Sequence, residues 1–139
     1  MKKFICILLV LVSTFALALP AFAAQPETAV PYYTNASTAT VTLTIDNDGV
    51  ATVKVYCLGK AGTSAIQVTY YLDKQVGSSW SRVNIGTTNN QWTASSSSRM
   101  LSQTETAQLS SSGTYRATAI FEVTISTTES ITITDEFTF

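Results

Sequence analysis

The run Leu109-Ser-Ser-Ser-Gly-Thr-Tyr-Arg-Ala-Thr-Ala-Ile-Phe-Glu-Val123 restricts the fold more than any other stretch of the chain. Taken two residues at a time, Tyr115, Ala117, Ala119, Phe121, Val123 and Ile125 share one face. Arg116, Thr118 and Glu122 fall on the other. A helix would scatter these apolar side chains around its circumference, whereas a strand gathers them on one side. The segment is therefore expected to be a long strand with one buried face. Its neighbours can be placed around it.

Residues 41–45 alternate Val41, Leu43 and Ile45 with Thr42 and Thr44, which predicts a first strand. Asp46-Asn47-Asp48-Gly49 is turn chemistry, ending in a residue free to take positive φ. A second strand is expected over residues 50–58, with Ala51, Val53, Val55 and Cys57 in phase. Ile66, Val68, Tyr70 and Leu72 mark a third, ended by Asp73 and the turn at Gly77. In a shorter fourth strand over 80–85, Val83 and Ile85 agree in phase and Trp80 does not. Residues 86–99 are polar and low in complexity around Trp92, with room for one short strand. Residues 99–109 read as a weak strand, and 131–139 as the last, with Ile131, Ile133, Phe137 and Phe139 in phase.

Asp135 falls on that same apolar face. Either a bulge shifts the phase there, or the carboxylate sits at a solvated mouth. Because 115–125 and 131–139 both bury odd-numbered residues, an antiparallel pairing requires an odd-length connection. About three residues are expected, near 126–129. No stretch carries a 3.6-residue apolar repeat long enough to require a helix. About seven or eight strands with regular turn signals predict an antiparallel β-sandwich, with a small barrel as the alternative.

The first residues predict a different fate. Lys2 and Lys3 precede an apolar run over 4–19, and Pro20-Ala21-Phe22-Ala23 supplies small residues suited to signal peptidase. The run is too short and wrongly flanked for a permanent membrane span. A signal peptide is expected over 1–23, a flexible arm carrying Tyr32-Tyr33 over 24–39, and the sandwich domain over 40–139. Asn35-Ala36-Ser37 fits the N-glycosylation pattern, which the bacterial look of the leader discounts. Six bases against nine acids leave the segment after residue 23 at −3. Scattered bases on a mildly acidic chain provide no footprint for nucleic acid or anionic lipid. The expected destination is extracellular and free, since neither a sortase-type tail nor a membrane segment follows Phe139. Cys57 is the single thiol after the leader, so no internal disulfide can form. Its phase predicts a buried thiol rather than a link between chains.

Two resemblances follow from quoted residues. Ser111-Ser-Gly113-Thr-Tyr115-Arg-Ala117 resembles the immunoglobulin tyrosine corner, with Ala117 where the second half-cystine would stand and Val55-Tyr56-Cys57 in the region of the first. The strand-C Trp is missing, and Tyr70-Tyr71 stand there. This implies an immunoglobulin-like sandwich of about seven to eight strands without a disulfide. More specifically, Ile66-Gln-Val-Thr-Tyr-Tyr-Leu-Asp-Lys74, Gly77-Ser-Ser-Trp80-Ser-Arg-Val83, Gly113-Thr-Tyr-Arg116 and Glu129 are similar to a family of small exported proteins of Gram-positive bacteria. That family implies export and carries no assigned activity. Phe121-Glu122-Val123 departs from the more polar segment frequent in its members.

Chemistry is narrowed by the absence of histidine from the sequence. Ser-His-Asp and Cys-His arrangements, His general bases and His-ligated zinc are all excluded. No serine motif accompanies Lys54, Lys60 or Lys74. Asp135 and Glu136 are adjacent on a strand and point to opposite faces, while Glu105, Glu122 and Glu129 lie in separate elements. Asp46-Asn-Asp48-Gly49 looks like a fragment of a calcium loop, for which a hairpin turn is the simpler account.

No catalytic residue, cofactor or metal site is therefore expected. Trp80, Trp92, Tyr56 and Tyr71 remain as possible ligand contacts, forming a platform for sugar rings or simply covering strand ends. The expectation is a secreted non-catalytic binding domain for cell-envelope polysaccharide or another protein. A carbohydrate-binding module using those aromatics is the alternative, with an enzyme third. The last strand offers an edge that can recruit a partner strand.

Overall fold

Eight strands follow one another in the computed structural model, which describes residues 31–139. They are β1 (Ala36–Ile45), β2 (Val50–Gly59), β3 (Ala65–Val76), β4 (Ser79–Arg82), β5 (Trp92–Ser96), β6 (Met100–Gln108), β7 (Thr114–Thr124) and β8 (Thr128–Thr138). They belong to the unit Tyr32–Phe139. The signal peptide expected over 1–23 and the first part of the arm expected over 24–39 lie outside the described residues.

The strands form two antiparallel sheets, ordered β1-β2-β6 and β4-β3-β7-β8, with β5 sharing the β4 edge of β3. This is a β-sandwich; the barrel alternative fails because no ladder joins the two sheets. The organising strand lies inside its sheet, between β3 and β8. Tyr115, Ala117, Ala119, Phe121 and Val123 all face the core, as the alternation requires. They meet Ile66, Val68, Tyr70 and Leu72 from β3, and Ala51, Val53, Val55 and Cys57 from β2. Cys57 is a buried free thiol. Burial raises its pKa to about 11, and the charge of Glu129 adds to the shift.

The β7–β8 register runs unbroken from Thr114↔Thr138 to Thr124↔Thr128. Residues 125–127 make the connection, so it has the expected odd length of three. With no bulge in this ladder, Asp135 remains on the inner face. Its Oδ2 accepts the backbone N–H of Leu43 at 2.8 Å. β1 is an edge strand whose outward amides lack a ladder partner, and the carboxylate provides one across the sandwich. The conflict in phase is thus resolved by a hydrogen bond.

β1 begins at Ala36, earlier than the domain start expected at residue 40. A register shift between Ala36 and Thr38 puts even-numbered Ala36 on the same buried side as odd-numbered Ala39 and Val41. Period-two reading cannot follow a phase change of this kind. The preceding residues are tied down: Glu129 accepts the backbone N–H of Thr34 at 2.7 Å and of Asn35 at 2.6 Å. The buried Asn35 side chain donates to the carbonyls of Val123 and Thr127. Burial of the Glu129 carboxylate pushes its pKa up, but the amides of Asn35, Thr34 and Ala36 and the charge of Lys60 outweigh this and lower it.

At the other end of β7, the Tyr115 hydroxyl donates to the Ser111 carbonyl and closes the corner. Gly113 has φ +145°, and a Cβ there would approach Lys74 Cε to 2.8 Å. Its N–H and carbonyl both pair with Phe139.

Candidate functional site

The four aromatic residues proposed as ligand contacts do not form one platform. Tyr56 lies on the outer face of the smaller sheet, opposite Thr40 and Ser102. Tyr71 and Trp80 lie on the outer face of the larger sheet. Trp92 turns inward, opposite Tyr70.

Tyr71 and Trp80 are already occupied. The Arg82 guanidinium carbon lies 3.4 Å from the Tyr71 ring centroid, and that of Arg116 lies 4.1 Å from the Trp80 ring. Asp73 sits between the two arginines, 2.9 Å from Arg82 Nε and 3.4 Å from Arg116 Nη2. The ladder explains the grouping, since Asp73 is directly opposite both Arg82 on β4 and Arg116 on β7. The result is a chain of contacts from Trp80 through Arg116, Asp73 and Arg82 to Tyr71, with Asp73 buried at its centre. Cation–π contact and ion pairing cover the two rings with protein rather than presenting them bare.

The same end of the molecule gathers much of the quoted motif pattern. Lys74 donates to Ser111 Oγ and lies over the Tyr115 ring, and the Val83 N–H donates to the Leu72 carbonyl. Glu129 is at the opposite end of β7. These motif residues therefore build architecture.

Trp92 differs. The segment leading to it turns at Gly86 and passes through a single 3-10 turn, Thr88–Asn90, in which Asn89 and Asn90 take φ +58° and +51°. Asparagine tolerates this left-handed region better than most residues, which accounts for the Asn-Asn pair. The Ile85 N–H donates to Asn90 Oδ1, and Thr87 Oγ1 donates to the Gln91 carbonyl. The turn delivers Trp92 to β5, where its half-buried ring meets Tyr70 at 5.4 Å between centroids with a 34° tilt.

Across from β5, the inward positions of β6 become polar. Gln103 Nε2 donates to Glu105 Oε1 at 3.0 Å. The Tyr70 hydroxyl beneath is fully buried and finds no partner among the described residues. Burial raises its pKa to about 12, with the charge of Glu105 adding to the effect. A cavity of about 440 Å³ opens here, walled by Trp92, Glu105, Asn89, Gln91 and Thr88.

Two further hollows have different characters. A groove of about 530 Å³ on the outer face of the larger sheet is bordered by Gln67, Thr69, Ser95, Ile120 and Glu122, and shares Thr93 with the Trp92 cavity. A cleft of about 540 Å³ at the Tyr115 end is lined by Lys74, Arg82, Val76 and Leu109.

At the first turn, Asp46 Oδ1 accepts the N–H groups of Asp48 and Val50, so its carboxylate serves as a hairpin cap. Among the described residues, no three His, Cys, Asp or Glu side chains group as a metal site, and no helix is long and apolar enough to cross a membrane. Comparison with known protein families, curated proteins and solved structures returns no match.

Sequence reasoning selected Trp92 but missed Glu105 and Asn89, which line the cavity with it, and Gln103, which hydrogen-bonds Glu105. The available signal was the polar inner phase of 103 and 105 in an otherwise apolar alternation.

Proposed function

We propose that this is an exported, non-catalytic binding domain on an immunoglobulin-like sandwich, taking its ligand at the Trp92 cavity. The observation that carries this reading is an uncapped, half-buried indole bordering a cavity of ligand size. Its remaining walls hold uncharged hydrogen-bonding side chains and one carboxylate.

The immunoglobulin-like assignment is supported by topology. β1, β2 and β6 take the places of strands A, B and E, while β3, β7 and β8 take those of C, F and G. The fourth strand lies beside C rather than E. The Tyr115 corner agrees, with Ala117 buried two residues after it, whereas Cys57 lies toward the Glu129 end of the sandwich rather than opposite Ala117. Export rests on the leader pattern, and membership of the small exported Gram-positive family on the motifs quoted above. For binding rather than catalysis, the supporting facts are a sequence without histidine and a single acid, Glu105, at the cavity. Glycoside hydrolysis ordinarily needs two facing carboxylates.

The second reading, a carbohydrate- or wall-binding module, is favoured by the indole flanked by amides and hydroxyls. An ¹⁵N-labelled mature domain titrated with purified wall polysaccharide and with cell-surface extract would test both. The Trp92 indole N–H and the backbone of Asn89 and Gln91 should shift, while the Trp80 indole stays still. Titrations that leave the Trp92 signal unmoved would end the proposal.

A further inference from the structure

The two hollows that meet at Thr93 share a chemical character. β5 is five residues long and pairs only with β3, so its far edge is free of a ladder partner among the described residues. The Trp92 cavity and the outer groove meet at β5, where both are lined by Thr93. Their volumes, about 440 and 530 Å³, each fall in the range of ligand sites. Lys and Arg are absent from both linings, whereas Glu105 stands in one and Glu122 in the other. The third cleft, with Lys74 and Arg82, has the opposite polarity.

We propose that the Trp92 cavity and the outer groove form one path over β5 for a linear glycan carrying no negative charge. This inference rests on the reading of the Trp92 cavity as the ligand site and specifies what the site accepts. A pyranose ring has an apolar C–H face, which suits Trp92 at one station and the half-buried Ile120 at the other. Its rim of hydroxyls matches Asn89 and Gln91 on the inner side and Gln67, Thr69 and Ser95 on the outer side. Anionic sugars would meet Glu105 and Glu122 with no compensating cation, while amino sugars would be attracted.

The experiment is calorimetry and ¹⁵N NMR on the mature protein with four probes: a β-1,4-linked N-acetylglucosamine hexamer, its dimer, a glucosamine hexamer and a galacturonate hexamer. Both glucosamine-type hexamers should bind and shift Trp92 together with residues around Ile120. The dimer and the galacturonate hexamer should each be weaker by roughly tenfold or more. Gln67 is exposed and borders the outer groove but not the Trp92 cavity, so Gln67→Arg leaves the core and that cavity intact and should lower hexamer affinity roughly tenfold while changing dimer affinity little. Trp92→Ala should abolish binding, with the dispersion of the amide spectrum reporting whether it folds.

Equal dimer and hexamer affinities would overturn the continuous path and leave the Trp92 site standing. Equal binding of galacturonate would overturn the charge selection alone. Binding of a surface protein or peptide at Trp92, without any glycan, would overturn the glycan assignment. Silence of Trp92 toward all four probes and surface extract would remove this inference and the function on which it rests.

Discussion

Replacing Glu129 with alanine isolates the attachment of the N-terminal segment to the β7–β8 hairpin. The carboxylate accepts a part-buried bond from the Asn35 N–H at 2.6 Å and an exposed one from Thr34 at 2.7 Å. Hydrogen bonds to a charged group contribute about 1.5–3 kcal/mol where water is excluded. The exposed bond adds well under about 1 kcal/mol, because solvent competes for both partners. Glu129 is only half-buried, so solvent weakens the Asn35 bond too, and a loss of about 1–2 kcal/mol follows for Glu129→Ala. For a domain of this size that is a fall in Tm of about 4–8 °C.

Asn35 keeps its own side-chain bonds to Val123 and Thr127, so the damage should be local. Hydrogen exchange should therefore show faster amides at Thr34, Asn35 and Ala36 with protection in β7 retained. The pH dependence has a definite sign. The folded pKa of Glu129 is lowered, so its contribution is complete above the ordinary glutamate range and disappears as pH falls through the folded value. Glu129→Gln should flatten that part of the acid-stability curve. Unchanged exchange at the three amides in Glu129→Ala would refute the reasoning, whatever happened to Tm.

Three other outcomes are expected. Tyr115→Phe removes the bond to the Ser111 carbonyl and should cost about 1 kcal/mol in thermal unfolding; an identical melt would deny the corner a stabilising role. Asp73→Asn leaves two arginines without their anion. Because Arg82 and Arg116 side chains are 36% and 27% exposed, the loss should be about 1–2 kcal/mol rather than that of a fully buried pair. Urea midpoints compared with wild type decide it, and no displacement would count against the stack. Cys57 is buried with its pKa raised to about 11, so a thiol reagent at pH 8 should label it only after denaturant is added. Stoichiometric labelling of the native protein within minutes would contradict its placement.

Much of the fold can be read in the chain because strand burial has a period of two and leaves a mark at every second residue. Tyr115 to Val123, Ile66 to Leu72 and Ala51 to Cys57 face inward as their alternation requires. The parity of β7 and β8 even dictated the odd length of their connection. Where the periodicity breaks, local pattern has nothing to say. The bulge after Ala36 hid the start of β1, and the weak alternation within 86–99 left room for one short strand without fixing where it lay, which pairing with β3 decides.

The candidate site was half legible. An aromatic residue in a polar loop marks itself, and the sequence was enough to nominate Trp92, Trp80, Tyr71 and Tyr56. It could not say that Arg82 and Arg116 cover two of those rings, that Tyr56 lies on the opposite outer face, or that Glu105 and Tyr70 stand beside Trp92. Alternation is encoded between neighbouring residues, so one chain segment suffices to reveal it. A site is made by residues tens of positions apart, and only the pairing and stacking of the sheets bring their side chains together.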